Sequence, residues 1–361
     1  MDANIERVLI YRMGSLGDTV VALPCFHQIA RAFPNAERLL LSNIPVHSKA
    51  PAAYAVLEGS GLVHGYMRYP VATRNVAELL ALQREIRSFR PSVMVYLTPR
   101  RAAGDVLRDA AFFRLCGVPR TVGLPLARDA RANRVDPPTG EVEPEAARLA
   151  RLMRELGTID LEERSNWDLR LTVEEHRRAA TALEPVQGRP LLGLAIGTKM
   201  QAKDWGAENW TLVLNQLAAE LPDYGVVLLG AAEESSVSEA ASTAWGARRV
   251  NLCGQLTPRE SAAVLARTRA FLGPDSGPMH LASAVGTPCV IVFAARSRPR
   301  LWFPWGRQHE VIYHRTDCWD CHLEICTEQK KKCLTSITPD EVIRALARVL
   351  IRSANAHAIQ R

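Results

Sequence analysis

The sequence predicts an α/β protein built from two doubly wound parallel sheets. Three observations predict it. Short apolar runs alternate with amphipathic helical stretches, the pattern of parallel βαβ units. The alternation runs once, breaks across residues 125–190, and then restarts. The chain has 361 residues, and roughly 100–200 residues per domain makes that two domains.

The first half opens on a buried-type strand, Val8–Tyr11, followed by a glycine turn, Gly14–Gly17, and a helix to about Phe33. Pro24 inside that helix implies a kink, and Pro34-Asn35 ends it. A strand follows at Arg38–Leu41, then an amphipathic helix at Val76–Phe89, a strand at Val93–Leu97 and a helix at Asp105–Cys116. The break holds Asp136-Pro137-Pro138-Thr139-Gly140, an acidic patch at Glu141–Glu145 and a charged helix at Val173–Leu183, so the linker is expected within 160–190. The second half reads more cleanly. Strands are expected at Leu191–Ile196, Gly225–Leu229, Ala270–Leu272 and Pro288–Phe293. Helices are expected at Glu208–Leu221, Glu233–Trp245 and Gly277–Val285. Thr257-Pro258-Arg259-Glu260 and Thr338-Pro339-Asp340-Glu341 are capping boxes with Pro at the first helical position, so each opens a helix.

Composition removes several classes. With 47% hydrophobic and 23% charged residues the chain is an ordinary globular protein. No apolar run reaches the roughly 18–20 residues of a membrane span. The first ten residues carry Asp2 and Glu6 and lack the basic start of a signal peptide, so a cytoplasmic location is expected. The net charge is +7, and residues 60–135 alone hold thirteen Arg against five acidic residues. Such a region favours an anionic partner. No zinc-finger or RNA-recognition spacing is present, so no nucleic-acid partner is expected. Only six of the 45 basic residues are Lys.

Ligands of open parallel sheets bind at the carboxyl ends of the strands, and four strand-end turns carry unusual residues. In Gly14-Ser15-Leu16-Gly17-Asp18 the glycines permit close backbone approach, and Asp18 sits where a helix begins. Helix capping is the alternative use of that aspartate. The dinucleotide-binding G-x-G-x-x-G spacing is absent, which counts against a dehydrogenase or a nucleotide-sugar epimerase. Gly197-Thr198-Lys199-Met200-Gln201-Ala202-Lys203 places two rare lysines together, and ammonium groups bind phosphate as mobile point charges. Gly230-Ala231-Ala232-Glu233-Glu234 offers carboxylates to ribose hydroxyls, or simply to the helix dipole. Gly273-Pro274-Asp275-Ser276-Gly277-Pro278-Met279-His280 starts a helix with a hydroxyl and free N–H groups, a natural phosphate seat.

Two of these segments resemble a known family. Arg12-Met13-Gly14-Ser15-Leu16-Gly17-Asp18 resembles the N-terminal motif of the heptosyltransferase-type glycosyltransferases, family 9. Gly273–Ala282 resembles its C-terminal motif: aspartate, small hydroxyl residue, glycine, then histidine three later. The loop Gly197–Trp210 matches in place and character, and the resemblance covers nearly the whole chain. It implies the GT-B architecture, two Rossmann-like domains facing across a cleft. Residues 1–175 would bind the acceptor and 186–337 the nucleotide-sugar donor, with 338–361 a helix packing back toward the first domain. It implies inverting transfer without a metal or other catalytic cofactor, from a nucleotide-diphosphate sugar, ADP-heptose above all, to the lipopolysaccharide core or a related anionic glycolipid. A different sugar and acceptor on the same fold, or a non-catalytic glycan-binding relative, are the alternatives. Asp18 would be the general base and Lys203 the phosphate-binding lysine. Thr198, Lys199, Glu233, Glu234, Asp275, Ser276, Gly277 and His280 would complete the donor site, and Gly14, Ser15 and Gly17 the acceptor-facing loop. A monomer in peripheral contact with the cytoplasmic face of the inner membrane is expected.

Cysteines form two groups. Cys25, Cys116, Cys253 and Cys289 stand in apolar surroundings and read as small core residues. Cys318-x2-Cys321-x4-Cys326-x6-Cys333, with His322 inside, stands apart from the motifs above. In a reducing compartment such a cluster favours a tetrahedral structural zinc or an iron–sulfur site over disulfides, with free thiols the third alternative.

Overall fold

The computed structural model describes residues 5–43, 53–70, 75–138 and 141–359, with side chains as far as 354. The first four residues, the expected turn at Thr139-Gly140 and the last two residues lie outside the described residues. The chain divides into two compact units, Met1–Arg170 and Leu171–Arg361.

The first unit carries a five-stranded sheet: β1 (Arg7–Tyr11), β2 (Glu37–Ser42), β3 (Gly65–Arg68), β4 (Val93–Tyr96) and β5 (Arg120–Val122). Every pairing is parallel and the order is β3-β2-β1-β4-β5. Val8 to Tyr11 and Val93 to Tyr96 are buried throughout, as expected of strands covered by helices on both faces. The kink implied by Pro24 is present as a break into two helices, Leu16–Val21 and Leu23–Ala32, joined at Ala22.

The second unit carries six parallel strands: β6 (Leu191–Leu194), β7 (Gly225–Leu228), β8 (Arg249–Asn251), β9 (Ala270–Pro274), β10 (Cys289–Phe293) and β11 (Glu310–Tyr313). Their order is β11-β10-β9-β6-β7-β8. In both sheets the chain winds outward in one direction and then in the other. The reversal lies between β1 and β4 in the first sheet and between β6 and β9 in the second. Turns leaving those strands diverge to opposite faces and open a crevice at their carboxyl ends.

Both capping boxes form: Thr257 with Glu260, and Thr338 with Glu341. The sequence reading sends the final helix, Pro339–Ile359, back toward the first domain. In the structure its buried face, Val342, Ala345, Leu346 and Val349, lies on β9, β10, β11 and the helix Ala207–Glu220 of the second unit. That core also contains Trp205 and Trp210, packed edge to face at 4.8 Å.

β3, β5, β8 and β11 were not expected from the sequence. They are three or four residues long, at or near sheet edges, and most of their residues are only half buried. Edge strands are often very short, and three or four half-buried residues give little pattern to read.

His309 ties the start of β10 to the preceding loop. Its Nδ1 accepts from the Cys289 N–H at 3.0 Å and its Nε2 donates to the Trp305 carbonyl at 2.8 Å. The ring is therefore neutral, and burial pulls its pKa down to about 4. A folded pKa below the unfolded value of 6.5 means that its contribution is complete above pH 6.5 and is lost as pH falls toward 4. Stability at pH 5 should be about 2 kcal/mol lower than at pH 7.5 from this group alone. His309→Gln keeps both hydrogen bonds without titrating, so urea unfolding at the two pH values should show a smaller drop than wild type. Equal drops would remove His309 from the acid response.

Candidate active site

The crevice of the second sheet is lined by the turns after β6 and β9. After β6 the chain passes Gly197, Thr198 and Lys199 into a single 3-10 turn, Gln201–Lys203. Trp205 anchors the exit, buried in the core with its indole N–H on the Ile337 carbonyl at 3.2 Å. After β9, Asp275 is almost wholly buried, and Ser276 caps the helix Gly277–Ala284. Lys203 Nζ meets Asp275 Oδ2 at 2.7 Å. Two residues 72 positions apart in the sequence thus form one ion pair across the reversal point. The Ser276 hydroxyl is buried without a hydrogen-bond partner among the described residues. An orphaned buried hydroxyl at a helix N-terminus is costly unless a ligand meets it. His280, one turn in, is buried on the same helix.

Glu234 fills the space between the turns after β6 and β7. A side chain at either Gly197 or Gly230 would meet its carboxylate, so both glycines leave room for Glu234 in this position. The Ala231 N–H donates to Glu234 Oε2 at 2.8 Å. Burial pushes this carboxyl above the ordinary range, against the Ala231 hydrogen bond and the Lys199 charge. Glu233, its neighbour, is exposed on the surface.

The second cluster is in the first unit, at the end of β1. Ser15 is the N-cap and Asp18 occupies the third helical position. Asp18 Oδ2 accepts from the Ser15 N–H at 2.7 Å and from its hydroxyl at 2.8 Å. Oδ1 lies 3.9 Å from the Arg12 guanidinium, and the side chain keeps 23% of its surface exposed. Gly14 lies against the Asp18 side chain with φ +141°, a value that favours glycine, and donates its N–H to Asn43 Oδ1 at 3.0 Å. Gly17 is buried in the first helical turn. Asp18 therefore caps its helix and still presents carboxylate surface.

Beneath it lies a buried charge network that sequence reasoning missed. Arg12 is fully buried and donates to the Leu97 carbonyl at 3.0 Å. Burial pushes its guanidinium below the ordinary value, opposed by Asp18 and Glu145. Glu145, read from sequence as part of an acidic linker patch, is 1% exposed and takes Arg148 in a two-point grip of 2.6 and 2.8 Å. Arg148 also reaches the Thr98 carbonyl at 2.9 Å, which ties the turn after β4 to this network. The signal available in the sequence was the i,i+3 spacing of Glu145 and Arg148 on an amphipathic helix.

The expected structural zinc or iron–sulfur site is corrected. Cys318, Cys321, Cys326 and Cys333 are free thiols, and among the described residues no three His, Cys, Asp or Glu gather as a metal-holding group. Cys333 packs against the second core, where burial raises its thiol pKa. The Cys318 thiol shares a hydrogen bond with Thr316 at 3.5 Å, and His322 pairs with Asp320 at 3.2 Å.

A family model for "Glycosyltransferase family 9 (heptosyltransferase)" matches residues 107–332, which include Lys203, Glu234 and Asp275–His280 but not Asp18. The chain is 28% identical over 174 residues to lipopolysaccharide heptosyltransferase 2 of Escherichia coli K12, covering 45% of this chain and 48% of that protein. It thus spans about half the length of the curated relatives it matches. Among solved structures it superposes on a family 9 glycosyl transferase from Veillonella parvula with a TM-score of 0.75, at 19% identity, covering 98% of this chain and 99% of that one. The Escherichia coli ADP-heptose lps heptosyltransferase II gives 0.68 at 17% identity, covering 96% and 99%.

Glu145→Gln removes the carboxylate between Arg12 and Arg148 and leaves two guanidinium groups buried with less counter-charge. The first unit should lose about 3–5 kcal/mol in denaturant unfolding. A loss below about 1 kcal/mol, the range of an exposed pair, would show that the network carries no weight.

Proposed function

The chain belongs to glycosyltransferase family 9, and from that premise we propose that it transfers a sugar, heptose, from a nucleotide-diphosphate donor to the lipopolysaccharide core or a related anionic glycolipid. The Lys203–Asp275 pair carries the proposal. It sets a mobile cation at the reversal point of a doubly wound sheet, beside an unsatisfied buried hydroxyl and a helix N-terminus. Diphosphate is the ligand whose charge fits that set.

The donor roles follow from the geometry of the second unit. The Lys203 ammonium has three N–H donors and directs one to Asp275. The others face the departing diphosphate, together with the Ser276 hydroxyl and the N–H of Gly277. This is electrostatic stabilisation of the leaving group by fixed donors. Asp275 Oδ2 is occupied by Lys203, and Oδ1 is left to accept from a hydroxyl of the donor sugar. Glu234 is favoured over Glu233 as the ribose contact, because Glu234 lies against the turns after β6 and β7 while Glu233 is exposed. Thr198, Lys199 and His280 border the same site. The base is adenine if the donor is the ADP-heptose named for the Escherichia coli neighbour.

In the first unit Asp18 is the general base. Ser15 orients Oδ2, and Oδ1 takes the proton of the acceptor hydroxyl as its oxygen attacks the anomeric carbon with inversion. The buried Arg12 then sits beside a carboxyl that has become neutral, so its charge favours return of the proton to water. Gly14 and Gly17 keep the backbone low where the acceptor approaches. No described helix is long and apolar enough to cross a membrane. We place the protein as a monomer in peripheral contact with the cytoplasmic face of the inner membrane. The basic segment 60–135 would meet the acceptor's anionic groups, although Arg101, Arg108, Arg120 and Arg134 already pair with carboxylates.

Asp18→Asn preserves the acceptor oxygen that caps the helix but removes the base. Transfer should fall about 10²–10⁴-fold while thermal stabilisation by nucleoside diphosphate is retained. Transfer at the wild-type rate would end the general-base assignment. Because the proposed cations belong to the chain itself, EDTA should leave the transfer rate unchanged. A rate restored only by added divalent metal would transfer the leaving-group role from Lys203 to that ion.

A further inference from the structure

The lysine-bearing turn is not held by its own strand alone. After β11 the chain returns across the carboxyl ends of the strands as an irregular segment. Its first part is fixed to the turn after β10. The N–H groups of Asp320 and His322 donate to the carbonyls of Ala295 and Arg296, both at 2.8 Å. Arg296 donates back to the carbonyls of His322 and Leu323 at 2.8 and 2.7 Å. Arg298 pairs with Asp320 at 2.6 Å, and the guanidinium of Arg315 lies 3.8 Å over the Trp319 ring.

The second part is fixed to the lysine turn. The Ala202 N–H donates to the Glu324 carbonyl at 3.0 Å. The Cys326 N–H donates to Gln201 Oε1 at 2.8 Å. Lys331 Nζ donates to the Asp204 carbonyl at 2.6 Å and lies 3.4 Å from its carboxylate. Gln201, Ala202 and Asp204 are therefore each bonded to this segment. Lys203, between them, gives its side chain to Asp275 instead. Lys330 and Lys331 both adopt positive φ, +45° and +55°. Residues with a side chain hold that conformation only where their surroundings fix it. Lys331 is at the same time bonded to Asp204.

We propose that residues 320–331 form a strap that sets the position of the Lys203 ammonium, with Lys331 as its positioning residue. The proposal rests on the donor-site reading above. Lys331 acts through Asp204: its ammonium holds both ends of that residue, and so fixes where the preceding Cα projects Lys203. Lys332, one residue on, pairs with exposed Asp317 and faces no part of the lysine turn.

The test uses the full-length protein and calorimetric binding of ADP and AMP, with GDP, UDP and CDP run in parallel to find the diphosphate bound most tightly. Lys331→Met should weaken binding of that diphosphate about tenfold, the loss of one charge-assisted hydrogen bond. Binding of the matching monophosphate should stay within about twofold, as should diphosphate binding by Lys332→Met. Lys331→Arg should recover part of the loss. A merely structural role for Lys331 would weaken monophosphate and diphosphate alike and lower the melting temperature of the unliganded protein, and that result overturns the proposal. So does unchanged diphosphate binding by Lys331→Met. Lys203→Met separates the two ideas. If it loses diphosphate affinity while Lys331→Met does not, the strap alone fails. If Lys203→Met binds as wild type, or no diphosphate binds wild type, the donor-site reading fails and the strap falls with it.

Discussion

One ion pair organises the second unit: Lys203 on Asp275, at 2.7 Å, with the carboxylate almost wholly buried. A buried carboxylate without a cation would neutralise itself, and an ammonium without an anchor would sample solvent. Each residue therefore fixes the state of the other. The pair also spans the two strands between which the sheet reverses, so it can form only when β6 and β9 lie side by side in parallel. Fold and charge placement are one constraint here. The same logic explains why the unsatisfied group nearby is a serine hydroxyl. An unpaired hydroxyl at a helix N-terminus is costly, but far less so than a second unpaired buried charge would be.

The first unit solves a different problem. As the proposed general base, its carboxylate has to stay available at a helix N-terminus without being lost to the helix. Asp18 commits one oxygen to Ser15 and leaves the other near Arg12. Arg12 is in turn held by the Leu97 carbonyl and shares its surroundings with Glu145 and Arg148. This network ties the ends of β1 and β4 together. It is the first sheet's counterpart of the Lys203–Asp275 pair, buried more deeply and built from arginine.

Much of this was legible in the sequence because strand-end turns concentrate chemistry in few residues. The Gly14–Asp18 and Gly273–His280 turns, the two Thr-Pro capping boxes and the Pro24 break each follow from local stereochemistry. What escaped depends on tertiary partners. The i,i+3 spacing to Arg148 sets Glu145 apart from Glu141 and Glu143, but spacing alone does not report that the pair is buried in the core. Glu233 and Glu234 were indistinguishable until Gly197 and Gly230 made room for one of them. The four cysteines have spacing that suits a metal, but spacing cannot report whether the side chains gather, and among the described residues they form no metal-holding group.

The division between lysine and arginine carries the same lesson in chemical terms. Arginine does the structural work: Arg12, Arg148 and Arg259 are buried, and Arg148 and Arg259 each grip a carboxylate at two points. A planar fork with five donors suits a fixed partner. Four of the six lysines instead lie on the Gly197–Asp204 turn or on the strap that holds it: Lys199, Lys203, Lys330 and Lys331. Under the proposed donor role, a group that holds Asp275 and also meets a ligand that arrives and leaves needs rotatable donors on a flexible stem. Arginine at 203 would fill that space with a rigid plane and bind its carboxylate too completely. In a chain with 39 arginines, lysine at this turn fits the mobility that the proposed role asks of it.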